Sequence, residues 1–389
     1  MRLLISFGLS AALLIAAGCT KDKDVEPPAK LVDFPQTLPV KKLWGEGVGA
    51  NKKQIKLRLG LGPAIDHGLV FAASHKGELL AVSLDSGKHV WLKKLKMPLS
   101  AGPAAADGMV VVGSSKGAIV AFEGATGKEL WRARVNSELL SAPAISASVV
   151  VLRSVDGRLH GFNAQTGKEQ WSVEQQVPRL SLRGTATPII AKEVAISGFD
   201  NGKVMAVSLV NGDTVWDTAL ASPHGRTELD RLVDIDSAVH VVGDNVFAAG
   251  YQGRTAMIAL DSGQIWWSHD TSSYRGVAVD DDNVYVSTAE GEVLALKRRT
   301  GVEVWRQKAL MHRGLSGPAV AGDAIVVADF QGYVHWLDKS SGALMGRVRA
   351  GKVRYSNPPA YADGVLVLLN DRGVIDAFRA TPIAVPARH

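Results

Sequence analysis

A glycine four residues ahead of a tryptophan recurs along this chain at intervals near forty residues. Ala125-Thr-Gly-Lys-Glu-Leu-Trp131 is the fullest copy, and Gln165-Thr-Gly-Lys-Glu-Gln-Trp171 and Asp85-Ser-Gly-Lys-His-Val-Trp91 nearly match it. Val210-Asn-Gly-Asp-Thr-Val-Trp216, Asp261-Ser-Gly-Gln-Ile-Trp-Trp267 and Thr300-Gly-Val-Glu-Val-Trp305 are looser copies, and Ser341-Gly-Ala-Leu-Met-Gly346 has lost the Trp. The glycines stand at 87, 127, 167, 212, 263, 301 and 342, in steps of 40, 40, 45, 51, 38 and 41. Self-similarity at such a period is the mark of a repeat architecture, in which each unit buries its apolar face only against its neighbours.

A second glycine series runs in phase, about ten residues upstream of the first: Gly77, Gly117, Gly157, Gly202, Gly253, Gly291 and Gly332, with an eighth at Gly373. Before each lies an apolar run such as Met109-Val-Val-Val-Gly113, and after each comes alternation, as in Ala118-Ile-Val-Ala-Phe122. These are strands joined by tight turns, where glycine supplies the positive φ that other residues resist. A Pro-led segment often precedes them, as in Gly102-Pro-Ala and Gly317-Pro-Ala. Each repeat therefore reads as four antiparallel strands, ending on the Trp strand. The pattern predicts an all-β fold, an eight-bladed β-propeller of four-stranded antiparallel blades. The eighth blade lacks its own Trp strand at the C-terminus, and Val40-Lys-Lys-Leu-Trp44 is a Trp strand with no blade before it. The two together complete the last blade and close the ring, which removes open sheet edges.

The propeller is expected over residues 40–379, followed by a tail at 380–389. Ahead of it, residues 19–39 are charged and Pro-rich and read as a flexible tether. Residues 1–18 are a signal segment, with Arg2 ahead of an apolar run too short and too abruptly ended to be a stable span. Ala16-Ala-Gly-Cys19 resembles a bacterial lipobox, which makes Cys19, the only cysteine, the expected lipidation site. Thr20 follows it where an Asp would favour inner-membrane retention, so export to the outer membrane is expected.

The two long steps carry the functional reading. Their surplus falls in Glu174-Gln-Gln-Val-Pro-Arg-Leu-Ser-Leu-Arg-Gly184 and in 219–236, each between one blade's Trp strand and the next blade's first strand. Both connections thus lie on one face of the ring and next to each other, and insertions on one face of a repeat protein mark a binding face. Leu180, Leu182 and Arg183 offer apolar anchors beside a cation, and Asp230, Arg231, Asp234 and Asp236 offer charge partners. Asp234 and Asp236 share a side if the chain there is extended. Together these residues are the expected partner-binding patch.

Other chemistries find little support. The basic residues behind the net charge of +6 are scattered and aromatic residues are 6%, which argues against nucleic-acid binding. The ten histidines are dispersed, with no metalloprotease or serine-hydrolase motif, and the acidic cluster lacks the glycine and ligand spacing of a calcium loop. No catalytic residue, metal or cofactor is expected.

The repeat Thr-Gly-Lys-x-x-Trp resembles that of the pyrroloquinoline-quinone dehydrogenases, which are eight-bladed. Those enzymes carry adjacent cysteines over the cofactor and a longer chain, and no cysteine follows residue 19 here. A quinoprotein dehydrogenase is therefore the alternative reading. A closer resemblance is to the BamB family of outer-membrane assembly lipoproteins. It rests on Pro178-Arg-Leu-Ser-Leu-Arg-Gly184, Gly198-Phe-Asp-Asn-Gly202, Glu228-Leu-Asp-Arg-Leu-Val-Asp-Ile-Asp236, Gly332-Tyr-Val-His-Trp336 and the lipobox, and it spans 40–379. The resemblance implies a non-catalytic scaffold of the β-barrel assembly (BAM) complex on the periplasmic face of the outer membrane. It implies docking to the POTRA domains of BamA, with unfolded β-barrel clients as further candidate partners. The family's partner-binding residues map to Leu180, Leu182, Arg183, Asp234 and Asp236, with Asp230 and Arg231 as neighbours.

Overall fold

Eight four-stranded antiparallel sheets stand around a common axis in a computed structural model. The structure describes residues 26–49, 60–178, 180, 186–221, 226–227 and 232–381, so the signal segment and Cys19 lie outside the described residues. In chain order the blades occupy 64–94, 99–134, 144–174, 189–219, 240–270, 277–307, 319–349 and 360–380. The eighth is completed by Val40–Gly47, which pairs antiparallel with Val374–Ala380 as its outer strand. The N-terminal strand thus closes the ring, as the lone Trp strand predicts.

The core is divided among the blade interfaces. Eight clusters of buried apolar side chains each draw on two neighbouring blades, for example Val111, Ala121 and Trp131 of the second with Val150, Leu152 and Phe162 of the third. The repeated tryptophan joins every pair except the seventh and eighth blades. Trp131 Nε1 donates to Ala164 O at 2.7 Å, and Trp91 and Trp216 do the same to Gly124 O and Leu260 O at 2.8 Å. The hairpin glycine of the next blade lies flat on the ring. A Cβ at Gly167 would fall 2.5 Å from Trp131, and one at Gly342 would fall 2.5 Å from Trp305. No other residue fits there, and φ near +70° at both makes glycine doubly required.

Every outer strand is bulged at one place. In the second blade Ala121 pairs with Trp131 and Phe122 with Glu129, which leaves Leu130 unpaired. The same shift skips Leu43, Val90, Gln170, Val215, Trp266, Val304 and Met345 in the other blades. The extra residue points outward, which is why Val90, Leu130, Val215, Trp266 and Val304 are exposed. A bulge twists the free edge away from flat pairing with another chain.

Residues 26–39 behave differently from a free tether. They form no strand, yet they are held on the ring at several points. Ala29 N donates to Met311 O and accepts from Arg313 Nη1 at its own carbonyl, each at 2.9 Å. The Arg347 guanidinium lies 4.8 Å from the Phe34 ring centroid. Thr37 N and Leu38 N donate to Met345 O at 2.9 and 3.0 Å, and Leu38 is buried against Trp336 and Tyr355. This strap explains the missing seventh tryptophan. A Cβ at Gly346 would sit 2.8 Å from Leu38 O and 3.4 Å from Val40, so the strap fills the place of the ring.

Candidate functional site

Antiparallel order fixes two kinds of face. The turns between second and third strands share one face with the connections from each outer strand to the next blade's inner strand. The remaining hairpins lie on the opposite face. Both long connections are on the first, here called the connection face, flanking the fourth blade.

The first connection leaves Glu169–Glu174 with Gln175 N on Gly157 O at 2.9 Å and Gln175 Nε2 on Met205 Sδ at 3.0 Å. Leu180 is 40% exposed, a large apolar side chain offered to solvent, while Ala186 is fully buried where the chain re-enters the ring. Leu182 and Arg183 lie outside the described residues.

The second connection leaves Thr214–Ala219, and Leu220 N and Ala221 N both donate to Gly202 O. Asp230 and Arg231 lie outside the described residues. Leu232 to Ile235 is buried. Ile235 is clamped between two glycines, since a Cβ at Gly198 would be 2.3 Å from it and one at Gly250 would be 2.7 Å away. Ile235 N donates to Phe199 O at 3.2 Å, and Tyr251 N donates to Asp234 O at 2.8 Å in an isolated antiparallel bridge. Asp236 is partly exposed, but the Asp234 side chain is fully buried. The expectation that both aspartates face solvent from one side therefore changes for Asp234. The bridge to Tyr251 makes this segment a packed edge, and the Asp234 side chain is buried there.

Beneath the two connections lies a pair the sequence reading did not single out. Arg153 and Asp200 form an ion pair with both side chains 2% exposed, and the Arg153 guanidinium lies 5.1 Å from the Phe199 ring centroid. Arg153 ends a strand of the third blade, and Phe199 and Asp200 belong to a turn of the fourth. The same turn accepts Ile235 N, so it couples the third blade, the fourth blade and the second connection. A buried pair of this kind favours one arrangement over others, because losing either partner strands a charge. The signal for it was an arginine ending the apolar run Val149-Val-Val-Leu-Arg153.

The axial channel offers a cavity of about 300 Å³ lined mostly by small apolar residues and prolines, with His240, Arg275 and Tyr361 among them. Burial pushes the His240 imidazole below its ordinary value. Among the described residues no group of three or more His, Cys, Asp or Glu could hold a metal ion.

Comparison with known proteins bears on this geometry. The sequence family described as outer membrane protein assembly factor BamB matches residues 75–307 and 289–381. An outer membrane protein assembly factor BamB from Pseudomonas aeruginosa is 47% identical over 342 residues, covering 88% of this chain and 90% of that protein. The Kangiella koreensis protein of the same name is 39% identical over 378 residues, covering 97% and 96%. The crystal structure of BamB from Moraxella catarrhalis superposes with a TM-score of 0.79 at 25% identity, over 88% of this chain and all of that one. A quinohemoprotein alcohol dehydrogenase from Pseudomonas putida superposes with a TM-score of 0.67 at 12% identity, a likeness of fold alone.

Proposed function

The chain belongs to the family of outer membrane protein assembly factor BamB, and on that premise we propose that it is a scaffold lipoprotein of the BAM complex. It acts at the periplasmic face of the outer membrane in the assembly of β-barrel proteins, with BamA as its partner. Anchoring through acylated Cys19 and docking on the POTRA domains of BamA are the specific parts of this reading. The work is done by binding, without catalysis. The supporting observation is the identity of 47% across nearly the whole of both chains.

The docking patch lies on the connection face. Leu180 is an exposed apolar anchor, and Leu182, Arg183, Asp230, Arg231 and Asp236 supply the remaining contacts. Apolar anchors beside an arginine are the usual make-up of a binding hot spot. Arg183 suits a carboxylate or carbonyls on the partner, and the acids suit its basic groups. Asp234 is a positioning residue, buried behind the bridge to Tyr251. Capture of the anchored protein from detergent-solubilised outer membranes is the test. Recovery of BamA, lost in a Leu180→Asp/Arg183→Ala variant that still folds, supports the assignment. Recovery without BamA refutes the partner, and undiminished recovery by the variant refutes the patch.

A further inference from the structure

The strap settles on which face the chain leaves the ring. Glu26 Oε2 lies 2.9 Å from His312 Nε2, and His312 N donates at 2.7 Å to Glu290 O in a turn of the connection face. From there the chain crosses the outer edge of the seventh blade, past Arg347 and then Met345, to the opposite face, and turns back as Val40–Gly47. Arg313 is the main fastener. It is 2% exposed, bonded to Asp329 and Gln331, and donates to Ala29 O. Six residues lie between Cys19 and Glu26. That length of chain spans at most roughly 25 Å.

Charge is distributed unequally between the two faces. Lys76, Lys96, Lys116 and Lys352 are exposed on the connection face, in turns and connections of the first, second and seventh blades, and none has an ion pair among the described residues; of the exposed acids on that face Asp156, Glu174 and Asp270 each lie beside an arginine, and Glu290 stands by the strap. On the opposite face, exposed acids crowd the channel mouth, among them Asp107, Asp244, Asp281, Asp282, Asp323 and Asp363. Lysines there, such as Lys88, Lys128 and Lys168, stand mostly at the outer rim, and Lys192, at the mouth, is paired with Asp244.

We infer that this lysine arc lies against anionic phospholipid headgroups, leaving the long connections flanking the fourth blade free on the same face for the protein partner. The inference rests on the reading of Cys19 as the lipid anchor. The strap delivers the anchor on the basic face, and an acidic channel mouth would be repelled by the same headgroups. Each lysine close to an anionic surface strengthens binding by about fivefold at moderate salt, an effect that fades within a Debye length.

The test has two arms. In the first, the Cys19→Ser chain, made behind a conventional cleavable signal, is floated with vesicles of phosphatidylethanolamine and phosphatidylglycerol, and with phosphatidylcholine vesicles for comparison. The expected result is flotation on the anionic vesicles only, weakening as salt rises. Lys76→Glu/Lys96→Glu/Lys116→Glu/Lys352→Glu should reduce it at least tenfold, and Lys88→Glu/Lys128→Glu/Lys168→Glu by less than twofold. Equal loss in both variants, or none in the first, overturns the inference. In the second arm, the lipidated protein in vesicles carries a dye on Lys116→Cys or on Asp107→Cys, and a headgroup quencher should reach only the first. Equal quenching overturns the orientation. Mass measurement of the Cys19 peptide separates the two ideas: an unacylated Cys19 refutes the anchor, while the flotation arm, which uses no acyl chain, still decides the lysine arc.

Discussion

Repeat logic and the structure make opposite forecasts for Gly346. Every other Trp strand carries its ring at this position, so restoring the repeat with Gly346→Trp would be expected to stabilise the seventh interface. The structure predicts the reverse. A Cβ alone would come 2.8 Å from Leu38 O, a backbone atom, so the strap must move. Moving it exposes Leu38, now 5% exposed, for a loss of about 2 kcal/mol. It also breaks the bonds from Thr37 N and Leu38 N to Met345 O, each contributing about 1 kcal/mol. A loss of roughly 4 kcal/mol is the upper bound, and about half of that is expected for Gly346→Ala, where the strap shifts without detaching. Urea unfolding gives the stability, and limited proteolysis within 26–38 reports whether the strap has come away. A Gly346→Trp variant at least as stable as the parent, with its strap still resistant to protease, would refute the argument.

Three further outcomes are expected. Trp131→Phe removes the bond to Ala164 O and part of the interface volume, and should lower unfolding stability by about 2 kcal/mol, measured in urea. Burial holds the His335 imidazole below its ordinary 6.5. Asp329, although burial raises its carboxyl, is held below the usual carboxylate range by His335, Tyr333 N and Arg313. Both folded values are depressed, so their stabilising effect is complete above the unfolded values and is lost as pH falls, first below about 6.5 and then below about 4. Melting temperatures between pH 7 and 5 should therefore decline, and less so in His335→Gln; an unchanged slope in that variant would remove His335 from the account. Leu180→Asp should weaken capture of BamA by tenfold or more with melting unchanged, whereas Asp234→Ala should lower the melting temperature, since its side chain is buried. The opposite pattern would exchange the roles of the two residues.

The fold was legible because its determinants recur. A hairpin glycine, a ring laid on it and a strand alternation repeat often enough that the blade count and the closure by Val40–Gly47 follow from spacing alone. The strap was not legible, since a charged, Pro-rich stretch carries no periodicity. It is held by backbone hydrogen bonds, by Arg347 on Phe34 and by Leu38 filling a space that a missing tryptophan leaves. The gap at Gly346 was visible in the sequence, but what fills it lies more than three hundred residues away along the chain. At the site, the spacing surplus located both connections, and Leu180 is exposed as its place in an insertion suggests. The burial of Asp234 was not legible, because the alternation in Leu232-Val-Asp-Ile-Asp236 does not say which residues of the segment are covered.

The same contacts explain why the long insertions fall on one face. On the opposite face, each hairpin glycine from 87 to 342 lies so close to the preceding blade's tryptophan that a Cβ would come within 2.5–2.9 Å of the ring. Lengthening such a hairpin disturbs two blades at once. The connections from outer to inner strand are pinned repeatedly only where they leave a blade, against a turn glycine of that same blade, as Leu95 N on Gly77 O and Val135 N on Gly117 O; beyond that point a longer loop costs little in closure entropy, about 0.6 kcal/mol per doubling. Steps of 45 and 51 residues can therefore accumulate on the connection face without altering the ring. Fixing them then requires local devices, and those are what the structure supplies: the Arg153–Asp200 pair under the turn, Ile235 between Gly198 and Gly250, and Asp234 against Tyr251. A docking surface built on that face can change its partner contacts while the propeller beneath it stays the same.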